Sequence, residues 1–124
     1  MPMPRTFKSR WFTKRASKLG ITDADLCEAM AQVRNGQAED LGGGVYKKRL
    51  SDNDQRGIVL AKGGEYWIYE FIFPKQDKSD LKPNELKDFR TLAKGYGSLK
   101  EAQLKQLLDD KDLVEICHEN QDQA

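Results

Sequence analysis

Residues Leu41 to Lys78, LGGGVYKKRLSDNDQRGIVLAKGGEYWIYEFIFPKQDK, constrain the fold more than any other part of the chain. They read as three consecutive strands: Val45–Leu50, Arg56–Ala61 and Glu65–Phe73. Ser51-Asp52-Asn53-Asp54 and Lys62-Gly63-Gly64 separate them, and polar or glycine-rich breaks between β-branched and aromatic runs are hairpin signals. The third run carries Tyr66, Trp67, Ile68, Tyr69, Phe71, Ile72 and Phe73. So apolar a strand is expected to be covered on both faces and to lie inside its sheet. The glycines Gly42-Gly43-Gly44 lack the GK[ST] sequence and following helix of a phosphate loop, so they read as a flexible or bulged strand entry.

Elements of another kind flank this core. Arg5–Phe7 reads as a short edge strand and Lys8–Leu19 as a helix with Trp11, Phe12, Ala16 and Leu19 inward, ended by Gly20. Thr22 or Asp23 caps a second helix carrying Leu26, Met30 and Val33, which Asn35-Gly36 stops. Pro83 suits the first turn of a third helix with Leu86, Phe89, Leu92 and Ala93 on its inner stripe, ended by Gly95 and Gly97. Ser98 to Glu101 reads as a capping box for a fourth, with Leu104, Leu107 and Leu108, and Leu113–Cys117 as a last strand. The order β-α-α-β-β-β-α-α-β predicts an α+β fold: a mostly antiparallel sheet, an N-terminal helical hairpin and C-terminal helices. At 124 residues the chain suits one domain spanning 1–124, with flexible tails at 1–4 and 118–124.

Charge narrows the function. The net charge is only +1 although 33% of residues are charged. Arg5, Lys8, Arg10, Lys14, Arg15 and Lys18 precede Gly20 without an acid, whereas acids dominate from Glu101 onward. On the first strand of the core, alternation puts Lys47 and Arg49 on one face and Tyr46, Lys48 and Leu50 on the other. Arg56 opens the next strand, and Lys75 and Lys78 follow the third. Antiparallel pairing can gather these cations at one end of a sheet face, a concentration suited to an anionic ligand.

Other chemistries find little support. His118 is the single histidine and sits in the tail, and no His, Cys and Asp spacing suggests a metal site. Cys27 and Cys117 form no CxxC pattern, and Cys27 falls in an apolar helical pattern, so the chain reads as disulfide-free and cytoplasmic. No apolar run is long enough to span a membrane, and no signal peptide opens the chain. Lysine and arginine remain. Arginine clamps phosphate oxygens and stabilises developing charge, and a lysine among cations has its pKa lowered toward that of a general base. Tyr46, Tyr69 or Trp11 can stack unpaired bases. Cations on sheets are also commonly solvated surface, and aromatics at strand spacing commonly core, so both readings stay open at this point.

The ordered motifs Arg5-Thr6-Phe7-Lys8 with Trp11-Phe12, Leu41-Gly42-Gly43-Gly44-Val45-Tyr46-Lys47-Lys48-Arg49, Arg56, Phe73-Pro74-Lys75-Gln76-Asp77-Lys78, and Leu81 with Glu85-Leu86 span nearly the whole chain. In them the chain resembles the RelE/ParE superfamily of bacterial toxins, in its RelE-like and HigB-like branch. The resemblance implies a microbial-ribonuclease-like fold and a toxin that cuts mRNA on the ribosome without metal or cofactor. It also implies neutralisation by a cognate antitoxin, often one with a helix-turn-helix domain. By position it implies catalytic roles for Lys47, Arg49 and Arg56, with Lys47 as favoured base, and RNA contacts from Lys48, Lys75, Lys78 and Lys82. Gln76 and Lys82 stand where the best-studied ribosome-dependent relatives carry arginine and tyrosine. A non-catalytic toxin that binds a target such as gyrase, and an RNA-binding regulatory domain, are the alternatives.

Overall fold

A computed structural model describes residues 5–51, 54–62, 65–76 and 81–117. The expected tails, Asp52, Lys78 and His118 lie outside them. The elements run β1 (Arg5–Ser9), α1 (Arg10–Lys18), α2 (Asp23–Arg34), β2 (Glu39–Gly42), β3 (Val45–Leu50), β4 (Gln55–Lys62), β5 (Tyr66–Pro74), α3 (Pro83–Gly97), α4 (Glu101–Asp109) and β6 (Leu113–Ile116). The six strands form one sheet in the order β2-β3-β4-β5-β1-β6. Among the described residues, only the β1–β5 pairing is parallel. The expected α+β architecture is therefore present, with two differences.

The first difference is β2, which the sequence reading lacked. Gly42 pairs with Val45, leaving Gly43 and Gly44 as a two-residue hairpin loop. Their φ angles of 65° and 83° are those a tight primed turn requires, and glycine adopts them without steric penalty. The glycines thus turn the chain back rather than lead into a strand. The second difference is β1. It runs to Ser9 and lies between β5 and β6, not at the edge, with Arg5 to Lys8 in register with Tyr66 to Tyr69.

Alternation along the strands sends side chains into two cores. On one face Leu50, Val59, Tyr69 and Ile72 pack against Phe12 and Ala16 of α1 and Leu26, Met30 and Val33 of α2. On the other, Val45, Ile58, Leu60, Ile68 and Phe73 pack with Ala93 of α3 and Leu104 of α4. β5 is covered on both sides, as its composition predicts. A bulge interrupts its pairing with β4: Ile58 faces Phe71 and Val59 faces Tyr69, so Glu70 is the extra residue. Its half-buried carboxylate accepts a 2.9 Å hydrogen bond from the Tyr96 hydroxyl of α3. Burial raises the Glu70 pKa, and hydrogen bonds from Tyr96 and Ser9 oppose the rise.

Helix ends follow local chemistry. Ser9 caps α1 by accepting from the Phe12 amide, and Thr22 and Asp25 form a reciprocal capping box on α2. Pro83 opens α3 as expected, whereas α4 is capped at Lys100, whose amide donates to the Gln103 side chain, and not by the expected Ser98–Glu101 box. Arg90 of α3 reaches the β2–β3 hairpin, donating to the Gly42 carbonyl at 3.3 Å and to the Leu41 carbonyl.

Cys27 of α2 and Cys117, just after β6, form a disulfide with Cα atoms 5.5 Å apart. This overturns the disulfide-free reading. Spacing in sequence shows nothing of a bridge that spans 90 positions, and it took the fold to bring the end of β6 beside α2.

Candidate active site

The cleft at the free edge of β3 gathers the basic residues. β2 begins at Glu39, opposite Lys47, so among the described residues β3 has no strand beside it on that edge from Lys48 onward. Gln37, Ala38 and Glu39 form one wall there, and Lys47, Lys48, Arg49 and Arg56 form the other, around about 440 Å³. Both faces of β3 contribute because the cleft wraps its edge. Arg49 and Arg56 are directly opposed in the β3–β4 pairing, and Arg56 is next opposed to Phe73 of β5. Like charges face to face on a sheet oppose folding.

The cations differ in setting. Arg56 is 9% exposed, and its guanidinium donates to the Gln55 carbonyl at 3.2 Å. Arg49 is exposed and also borders a second hollow beside Asp25, Glu28 and Gln32 of α2. The Lys47 ammonium lies 3.3 Å from the Glu39 carboxylate. Burial, and then the Arg49 charge, lower the Lys48 pKa. The neutral amine of Lys48 is thus made more accessible by its setting, which alternation alone does not show.

The remaining expected contacts lie around the cleft. Lys75 is exposed one residue beyond the Gln55–Pro74 pair, with its amide 2.9 Å from the Asp54 carbonyl, at the same end of the sheet. Lys82 is exposed at the start of α3 and does not line the cleft. Lys78 lies outside the described residues. Among the aromatic candidates, Tyr69 is fully buried, donates 2.6 Å to the Leu26 carbonyl and stacks on Phe12, which rules it out as a base platform. Tyr46 is half-buried against Trp67 on the α2 side. Trp11, expected inward, is 46% exposed and stacked on Phe71.

The N-terminal cations that suggested a wide basic surface are partly neutralised. Arg5 forms two 2.8 Å hydrogen bonds to Glu115, Arg10 lies 2.8 Å from Asp112, and Lys8 lies 2.7 Å from Asp23. Two of the six N-terminal cations, Arg5 and Arg10, thus meet acids from the C-terminal part of the chain, where β1 lies beside β6. Among the described residues no group of His, Cys, Asp and Glu is arranged to hold a metal ion, and no helix is long and apolar enough to cross a membrane.

The family model for the RelE toxin of the RelE/RelB toxin-antitoxin system matches residues 4–116. The chain belongs to the RelE toxin family. The match spans every element from β1 to β6, so the family identity covers the whole described fold. None of the curated proteins compared with the chain matches it. As a RelE-family toxin, the protein has a cognate antitoxin as its implied partner.

Proposed function

We propose that this RelE-family toxin is a metal-independent endoribonuclease that cuts mRNA in the ribosomal A site and so inhibits translation. The supporting observation is the single cleft lined by Lys47, Lys48, Arg49 and Arg56. In the proposed reaction a lysine amine takes the proton from a ribose 2′-hydroxyl, whose oxygen attacks the adjacent phosphorus. Sequence favoured Lys47 in that role; the lowered pKa of Lys48 and the Glu39 ion pair of Lys47 support Lys48 instead. Arg49 and Arg56 hold the equatorial oxygens as charge develops. The phosphorus–5′-oxygen bond breaks, the 5′-oxygen takes a proton from the Lys47 ammonium, and the products are a 2′,3′-cyclic phosphate and a 5′-hydroxyl. Lys75, Lys78 and Lys82 contact flanking phosphates. The antitoxin carries a helix-turn-helix domain, and the site of action is the cytoplasm. The Cys27–Cys117 bridge persists there only where its stability resists the thiol pool.

A second reading, a toxin that acts by binding alone, is favoured by one observation: the cleft lining contains no histidine or tyrosine among the described residues. Replacing Arg56 separates the two. Arg56→Ala slows cleavage by roughly two to three orders of magnitude, the effect of removing one preorganised oxyanion donor, while ribosome affinity changes far less. Lys14→Ala, on α1, leaves the cleavage rate normal. Cleavage rate and ribosome affinity are measured for both variants beside the parent. A proportional fall of both quantities in Arg56→Ala, or a fall in neither, rejects the catalytic assignment in favour of binding.

A further inference from the structure

We propose that Trp11 is the platform on which a base flanking the cleaved bond stacks, an inference that rests on the ribonuclease reading above. Phe12, the next residue, is fully buried, whereas Trp11 keeps 46% of its surface exposed at the start of α1. It is held rather than loose: its ring lies 4.7 Å from that of Phe71 at an interplanar angle of 22°, and Phe71 lies 5.7 Å from Phe89 of α3. An aromatic surface stiffened from behind and open in front is what unpaired bases use, because every base has a π-face.

The sheet places this surface relative to the cleft. Arg49, Arg56 and Phe73 are successive cross-strand neighbours and so project from the same face. The Phe71 and Phe73 rings are 6.2 Å apart on that face. Phe71 is the diagonal neighbour of Arg56, about 7–8 Å away along the sheet, and the Trp11 ring stacks on Phe71. A strand of RNA whose phosphate is held by Arg49 and Arg56 reaches Trp11 within a few nucleotides. The axis from arginine pair to tryptophan crosses β3, β4 and β5 and gives the RNA a direction across the sheet. Trp11 touches no reacting atom; it is a positioning residue and a source of register.

The test uses the full chain and a short synthetic mRNA, free and in the decoding site of a programmed ribosome. The RNA carries either intact bases or a single abasic residue at each position flanking the cleaved bond. Trp11→Ala is expected to raise KM roughly five- to 150-fold, the range for one lost base–aromatic stack, with kcat changing much less. Trp11→Phe keeps an aromatic face and recovers most of the loss. One abasic position weakens the parent by the same factor and weakens Trp11→Ala no further, the coupling expected of direct partners. Where alanine lowers thermal stability, Trp11→Leu keeps apolar cover on Phe71 and serves in its place. An unchanged KM in a parent-like variant overturns the proposal, as does a loss equal on intact and abasic RNA that tracks thermal stability. A parent that neither binds nor cleaves RNA overturns the ribonuclease reading and this inference together, and its own rate identifies that outcome.

Discussion

Reducing the Cys27–Cys117 bridge should lower the stability of the fold by an amount that its place in the chain sets. The bridge closes a loop of 90 positions. The chain-entropy relation for a loop of that length gives about 4.6 kcal/mol at 25 °C. Part of this is offset, because Cys117 is held at a φ of 62°, a left-handed conformation that costs a non-glycine residue about 1–2 kcal/mol and relaxes when the bridge opens. The net loss is therefore about 3 kcal/mol. Unfolding entropy of about 2.1 cal/mol/K per residue, over 124 residues, comes to about 260 cal/mol/K, so the melting temperature falls by about 12 °C. Thermal melts with and without dithiothreitol measure the shift. A Cys27→Ser/Cys117→Ser variant should melt with the reduced protein and ignore the reductant, and the intact mass of the untreated protein should be lighter by two hydrogens. Melts that coincide within about 2 °C, with the bridge shown by mass to be closed, would refute the loop-closure argument.

Three further outcomes are expected. Glu70→Gln should stabilise the protein near neutral pH: burial raises the Glu70 pKa above its ordinary 4.5, so the ionised form is disfavoured in the fold, and the disadvantage grows as pH rises through the folded pKa. The amide still accepts from Tyr96, so denaturation curves of parent and variant should converge in acid below the ordinary pKa and separate above the folded one. Gly43→Ala should cost about 1–3 kcal/mol in urea titration, because φ is 65° there and a Cβ would lie 2.7 Å from Cγ of Arg90, displacing the side chain that binds the hairpin carbonyls. RNA cleavage should survive EDTA, since lysine and arginine perform the proposed step; activity lost in chelator and restored by magnesium would overturn that mechanism.

The parts of the fold legible in the sequence are those where local pattern and tertiary context agree. The strands β3, β4 and β5 are β-branched and aromatic runs between polar or glycine-rich turn residues, and α2 and α3 carry their own start signals. β2 was not legible because Glu39-Asp40-Leu41-Gly42 has the composition of a loop and becomes a strand only through pairing with β3. The position of β1 was hidden because five short residues pair in parallel with a strand far along the chain, which no local signal announces. The candidate site was partly legible: the cations of β3 and Arg56 follow from alternation and strand order, whereas the Glu39 ion pair and the lowered pKa of Lys48 depend on β2 and burial. Trp11 departs from the inward reading because helical spacing gives a face, not a depth: Phe12 stacks on Tyr69 in one core, whereas Trp11 stacks on Phe71 on the other side of the sheet and stays 46% exposed.

Because β1 is threaded between β5 and β6, the strand made first during translation is among the last to find its place. Arg5 pairs with Tyr66, so 61 residues (66 − 5) must be added before its partner exists. Meanwhile the β3–β4–β5 meander, which carries the basic cleft, needs only neighbouring hairpins, and such hairpins form in about 1–10 μs. Phe7, fully buried in the finished fold, stays uncovered through that interval. β6 has β1 as its strand neighbour and is the last of the described elements to be made, and Cys117 follows it. A nascent chain that stops short of Leu113 therefore presents β1 as a bare sheet edge, open to pairing with other chains. Order of synthesis thus builds the basic cleft before the sheet that supports it is closed, and products truncated before Leu113 lack both the closing strand and its covalent lock.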